Sequence, residues 1–232
     1  MSHKSICGVT PVGASSGFNL YSPTFVRGLK KEELPEMARA YGHAVNLARE
    51  AGFDAVEIHA GHGYLISQFL SPYTNRRKDC FGGSLENRMR FMDMVMEEVM
   101  KAAGTDMAVL VKVNMRDGFR GGMEMDETMQ VAKRLEQSGA HALVLSGGFV
   151  SKAPMYVMRG QMPIHSMTHY MNCWWLKYGV RMVGKWMIPT VPFKEAYFLE
   201  DALKFRAEIK MPLVYVCLLY TSPSPRDISG SR

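Results

Sequence analysis

The fold is decided by residues 53–70, F-D-A-V-E-I-H-A-G-H-G-Y-L-I-S-Q-F-L. Val56 and Ile58 alternate with Ala55, Glu57 and His59, the period of two that marks a β-strand. The alternation stops at Gly61 and Gly63, and a second apolar run follows. His59, His62 and Tyr64 stand at that break and form the densest group of proton-handling side chains in the sequence. In a parallel α/β barrel the carboxyl end of a strand and the loop after it carry the chemistry, so a site is expected here.

On either side of this strand the hydrophobic period becomes helical. Leu34, Met37, Ala38, Tyr41, Ala44, Val45 and Ala48 recur every three or four residues, predicting a helix over 31–51 that Gly52 stops. A polar loop over 71–83 leads to a second helix at 84–103, with Ser84 as N-cap and Leu85, Met89, Met92, Val95, Met96 and Val99 on its apolar face. The run M-A-V-L-V-K-V-N at 107–114 is almost continuously apolar, as in parallel strands covered on both faces. Asp126 is expected to cap a helix ending at Ser138, and H-A-L-V-L-S at 141–146 is a third strand closed by Gly147 and Gly148. Residues 193–210 read as helix and 212–216 as a fourth strand. Helices alternating with short buried strands predict an α/β fold of βα units on a parallel sheet, with right-handed crossovers.

Three regions depart from this rhythm. Gly8, Pro11, Gly13, Gly17, Pro23 and Gly28 make residues 1–30 read as a long loop. Residues 148–192 hold Trp174, Trp175 and Trp186 with no stable period; one helix near 166–178 is predicted, within an excursion long enough to be a lid over a site. From Cys217 the chain reads C-L-L-Y-T-S-P-S-P-R-D, which does not continue the preceding strand and matches the in-frame translation of a transposase sequencing adapter. Residues 217–232 are therefore set aside as a non-native tail, and 1–216 are taken as one partial domain.

With 232 residues, 47% of them hydrophobic and 22% charged, the chain has the composition of a globular protein with a real core. Its net charge of +6 comes from Lys and Arg scattered along helices, which reads as solvated surface and argues against nucleic-acid binding. Cys7, Cys80, Cys173 and Cys217 form no C-x-x-C pair, so a metal or iron–sulfur site is not expected, and free thiols in a reducing cytoplasm are the default. The start is not of signal-peptide type and there is no run of about 18 apolar residues, so neither secretion nor a membrane partner is expected.

Residues 59–91, H-A-G-H-G-Y-L-I-S-Q-F-L-S-P-Y-T-N-R-R-K-D-C-F-G-G-S-L-E-N-R-M-R-F, resemble the Old Yellow Enzyme (NADH:flavin oxidoreductase) family. Its members carry H-x-x-H/N-G-Y-L followed by S-P-x-x-N-x-R-x-D-x-Y-G-G-S-x-E-N-R. Here Phe81 replaces the usual tyrosine and Cys80 an often polar residue. The resemblance implies a (βα)8 TIM barrel, of which this sequence would hold about four βα units with both ends of the barrel missing. It implies FMN bound non-covalently at the strands' carboxyl ends, NADH or NADPH as electron donor, and a small-molecule substrate of enone, enoyl or nitro type. Carried over by position, His59 and His62 bind the substrate oxygen next to the flavin and Tyr64 protonates the substrate's α-carbon. Lys112, with His59, borders the flavin; many relatives have arginine there, so the charge is kept and the fork of donors lost. Further flavin contacts would come from segments outside this sequence, so the chain alone is expected to hold FMN weakly or not at all. A homo-oligomer is compatible with all of this.

The residue types suit these roles. Hydride arriving at the β-carbon of an enone leaves negative charge on the carbonyl oxygen, and two fixed imidazole N–H groups stabilise it there. A phenol, protonated at neutral pH, can pass its proton to the developing carbanion. Leu110, Lys112 and Asn114 share one strand face, as do Ala55, Glu57 and His59, and these are expected to be interior faces. The histidines as half of a zinc site is a weaker reading, because no third ligand follows at suitable spacing. Arg76, Arg77, Asp79 and Arg88 read as structural ties. Two alternatives stay open: a multidomain flavin dehydrogenase for dienoyl-CoA, steroid-like or amine substrates, and an inactive truncated reading frame.

Overall fold

A computed structural model describes residues 9–19, 24–160, 163–169, 174–187 and 190–216. The 217–232 tail lies outside those residues, as do Cys7 and Cys173. The first difference from the sequence reading is at the start, where the expected loop contains three short strands. These are β1 (Val12–Gly13), β2 (Gly17–Asn19) and β3 (Thr24–Gly28), in the order β1-β3-β2. Their glycines mark close backbone approach rather than open loop. A Cβ on Gly13 would lie 2.6 Å from the Gln68 side chain, and one on Gly28 2.9 Å from the Ser16 backbone.

A 3-10 turn at Lys31–Glu33 leads into α1 (Leu34–Glu50), followed by β4 (Ala55–Ala60), the short α2 (Leu65–Leu70) and α3 (Leu85–Ala103). Next come β5 (Ala108–Asn114), α4 (Met125–Gln137) and β6 (Ala142–Ser146). Ser84 caps α3 as expected, its hydroxyl accepting the Asn87 N–H. The cap of α4 is different. Its N-cap is Glu124, without a side-chain bond, and Asp126 sits in the first turn, where a carboxylate faces the positive end of the helix. Helix α1 packs on α3 through Gly42, where a Cβ would lie 2.9 Å from the Glu98 carbonyl oxygen.

The 148–192 stretch holds three helices, α5 (Pro154–Met158), α6 (Ile164–His169) and α7 (Trp174–Met187), instead of one. Trp174, Trp175, Tyr178 and Met182 are all exposed, so large apolar residues on the outer side of α7 blur its period. Helix α8 (Leu199–Glu208) starts later than its pattern suggested, after a turn in which Ala196 takes φ +49. It leads to β7 (Leu213–Tyr215).

Strands β4-β5-β6-β7 lie side by side in that order, every pair parallel. Sequential order with helical crossovers is the winding of a barrel segment, as expected. One sheet face presents Val109, Val111, Val113, Leu143 and Leu145 to a core shared with Val95, Val99 and Leu135. The opposite face, the inner face of a barrel, carries Glu57, His59, Leu110, Lys112, Asn114, Val144 and Ser146. The register sets His59 beside Lys112 and Lys112 beside Val144, and one layer higher Asn114 beside Ser146. Among the described residues no helix is long and apolar enough to cross a membrane.

Candidate active site

At the end of β4 the chain turns through Gly61, His62 and Gly63. His62 takes φ +58 and Gly63 φ +81, both left-handed, a conformation that costs a residue with a Cβ about 1 kcal/mol. There is no room for a larger residue on either side of His62. A Cβ on Gly61 would stand 2.7 Å from Asn114 Oδ1, and one on Gly63 2.4 Å from the Phe149 ring. The strained backbone of His62 is held by its neighbours. Its N–H donates to Asn114 Oδ1 at 2.9 Å, and its carbonyl accepts the Val150 N–H at 3.1 Å. Its ring Nε2 lies 2.8 Å from Ser146 Oγ. Three neighbouring strand ends thus fix one histidine.

His59 projects from β4 itself, and its Nδ1 accepts the Gly61 N–H at 3.2 Å. The His59 ring lies 4.9 Å from that of His62, edge to face, and 4.7 Å from that of Tyr64. Tyr64 opens α2 as its N-cap, with 45% of its surface exposed. Lys112 stands next to His59 across the β4–β5 ladder, on the inner face and not among the helices. Its ammonium donates to Glu57 Oε1 at 2.5 Å. The four residues singled out from the sequence therefore gather at one strand end.

Burial lowers the pKa of both imidazoles. His62 is brought down to about 4, by desolvation first and then by His59 and Lys112, against the opposing pull of Glu57. His59 moves the same way, through desolvation and then Lys112, again opposed by Glu57. Two neutral imidazoles result at neutral pH, each with one N–H to donate.

In the sequence Asn114 stands out only as a face-sharing residue and Ser146 only as a strand end. Both are buried, at 5% and 2% exposure. The Asn114 amide is fully used: besides accepting from His62 it donates to Asp117 Oδ1 at 2.9 Å and to the Gly148 carbonyl at 2.8 Å. Burial pushes the Asp117 carboxyl above its usual range. The signal for both was a polar residue ending an otherwise apolar run, V-K-V-N and L-V-L-S. The S-P-x-x-N…E-N-R segment is scaffold. Asn75 donates to the carbonyls of Phe69 and Phe81, Arg77 to those of Ala14 and Leu29, and Arg88 to that of Leu70 and to Glu127. Among the described residues no group of three or more His, Cys, Asp or Glu could hold a metal.

The model of the NADH:flavin oxidoreductase / NADH oxidase family matches residues 3–177. The chain belongs to this family. A 4,4'-dithiodibutanoate disulfide reductase of Rhodococcus erythropolis is 37% identical over 190 residues, 82% of this chain and 47% of that protein. An NADPH dehydrogenase of Listeria welshimeri is 38% identical over 136 residues, 58% of this chain and 40% of that protein. The chain thus spans less than half the length of these curated relatives. Among solved structures, 2-naphthoyl-CoA reductase in complex with 2-naphthoyl-CoA matches with a TM-score of 0.69 at 25% identity, over 89% of this chain and 27% of that one. The old yellow enzyme homologue from Zymomonas mobilis matches with a TM-score of 0.64 at 24% identity, over 93% of this chain and 53% of that one. The latter likeness speaks to fold: a TIM barrel, of which the described residues form a part. The family's description names NADH and a flavin, so these belong to the family's chemistry.

Proposed function

We propose that this chain is the catalytic strand cluster of an ene-reductase-type enzyme, which reduces a C=C bond activated by a carbonyl or nitro group. The observation that carries the reading is the convergence of His59, His62 and Tyr64, with adjacent ring centroids within 5 Å, beside a cationic Lys112.

The residues on the inner face fit FMN. Lys112 spends one of its three N–H groups on Glu57, and its side chain keeps 22% of its surface exposed on that face. The remaining donors suit the electron-rich pyrimidine edge of a flavin, with neutral His59 as a second contact. When bound, the flavin supplies two-electron hydride chemistry. The protein's own part is separate. His59 and His62 donate their N–H groups to the substrate oxygen and stabilise the charge that gathers on it. Preorganised donors of this kind contribute about 10²–10³ in rate each. Tyr64 holds a proton on its hydroxyl and gives it to the substrate's α-carbon. Because Tyr64 is half exposed, solvent can return that proton.

With FMN and NADPH supplied, His59→Ala and His62→Ala should each lower kcat/KM for 2-cyclohexenone by about 10²-fold or more. Unchanged values in both would overturn the oxygen-binding role. A second reading is favoured by the disulfide reductase of Rhodococcus erythropolis, whose match covers more of this chain than that of the NADPH dehydrogenase named above. There the acceptor is an S–S bond, and Tyr64 would protonate a departing thiolate. A kcat/KM for 4,4'-dithiodibutanoate well above that for the enone selects this reading, and the reverse order selects the first.

A further inference from the structure

Each neutral imidazole has one N–H, and the proposed function requires both to point at the same oxygen. For His59 the hydrogen bond decides the matter. Its Nδ1 accepts from the Gly61 backbone, so the ring proton sits on Nε2. For His62 the partner is a hydroxyl, which can donate or accept, and burial breaks the tie. Ser146 Oγ is buried, and its one described partner is His62 Nε2. If Nε2 carried the proton, the serine hydrogen would be left in the protein interior without an acceptor, its desolvation uncompensated. If the serine donates, both groups are satisfied and the ring proton lies on Nδ1.

We propose that Ser146 and Asn114 are positioning residues that set His62 as the Nδ1–H tautomer, opposite to His59, so that the substrate oxygen is received between His59 Nε2–H and His62 Nδ1–H. Asn114 acts on the backbone: its Oδ1 accepts the His62 N–H and holds the left-handed turn, while its amide hydrogens are anchored on Asp117 and Gly148. Ser146 acts on the ring. Because the two residues face each other across the β5–β6 ladder, one rung of the sheet fixes both the backbone and the tautomer of this histidine. The role of these nitrogens toward substrate rests on the function proposed above; the tautomer does not.

The test uses the full chain without flavin or substrate, so it stands apart from the enzymatic reading. With [15N]histidine labelling at pH 7, two-bond 1H–15N spectra distinguish pyrrole-type from pyridine-type ring nitrogens, and His59→Gln and His62→Gln assign the signals. His62 should show a pyrrole-type Nδ1 and His59 a pyrrole-type Nε2. Ser146→Ala should return His62 to the Nε2–H form favoured in water, and Ser146→Thr, which keeps the hydroxyl, should restore Nδ1–H. Asn114→Ala should speed exchange of the His62 amide proton at least tenfold, whereas Asn114→Asp, which keeps an acceptor, should not. A wild-type His62 in the Nε2–H form, or a tautomer indifferent to Ser146→Ala, overturns the proposal. Should the alanine variants fail to fold, the wild-type spectrum alone still decides it.

Discussion

The carboxyl ends of β4, β5 and β6 and the helix α7 lie in one chain but meet opposite physical demands. At the strand ends every polar atom of Asn114 is bonded and each glycine beside His62 touches a neighbour. On α7, Trp174 is 72% and Met182 82% exposed, and Gly179 has nothing within 4 Å of where a Cβ would be. The contrast separates residues whose identity is dictated by packing from residues whose identity the fold leaves open. The same kind of substitution should then give unlike results in the two places.

The largest difference is expected for aromatic truncation. Phe91 is fully buried, its ring 4.4 Å from Phe69, and Phe91→Ala should cost about 3–5 kcal/mol in urea unfolding. Trp174→Ala should stay within about 0.5 kcal/mol. Comparable losses at both sites would mean that α7 is packed in solution and would break the contrast. Glycine gives a sharper version, because the sign should change. Gly63→Ala forces a Cβ to within 2.4 Å of the Phe149 ring in a left-handed backbone, and a loss of about 3 kcal/mol is expected. Gly179→Ala, inside a helix and facing open space, should instead stabilise by about 0.5–1 kcal/mol. Melting temperatures of the two variants, moving in opposite directions, check this.

A further difference is one of pH. His62 titrates near 4 in the folded chain against 6.5 for the free side chain, because it is buried beside His59 and Lys112 and only Glu57 opposes them. The unfolded chain therefore binds this proton at higher pH than the folded one. Stability is complete above about 6.5 and falls as the pH drops toward 4. His59 adds to the fall, and Asp117, raised by burial, works against it at the acid end. In His62→Gln the urea midpoint should decline less steeply between those pH values. An unchanged slope would show that the imidazole is not desolvated.

What could be read from the sequence follows the same division. The helices over 31–51 and 84–103 and the strands at 53–60, 107–114 and 141–146 were legible because each buries a continuous face, and burial imposes period. The cluster of His59, His62, Tyr64 and Lys112 was legible as a group because polar side chains there stand at a strand end where packing alone would not place them. Asn114 and Ser146 were harder: a buried amide and hydroxyl reveal their partners only once the register is known. The strands before residue 30 were hidden because glycines that permit close approach look like glycines that permit a loop. Between 150 and 190 one helix was read where three stand, and the exposed Trp174, Trp175 and Tyr178 of α7 blurred the period there.

The central claim is that Tyr64 passes a proton to a substrate whose oxygen the two histidines hold. Stopped-flow measurement of the two half-reactions, with FMN supplied in excess, tests it most directly. In Tyr64→Phe, oxidation of the reduced flavin by 2-cyclohexenone should slow by about 10²–10⁴, with reduction by NADPH unchanged. Equal losses in both half-reactions, or none in the oxidative one, would contradict it.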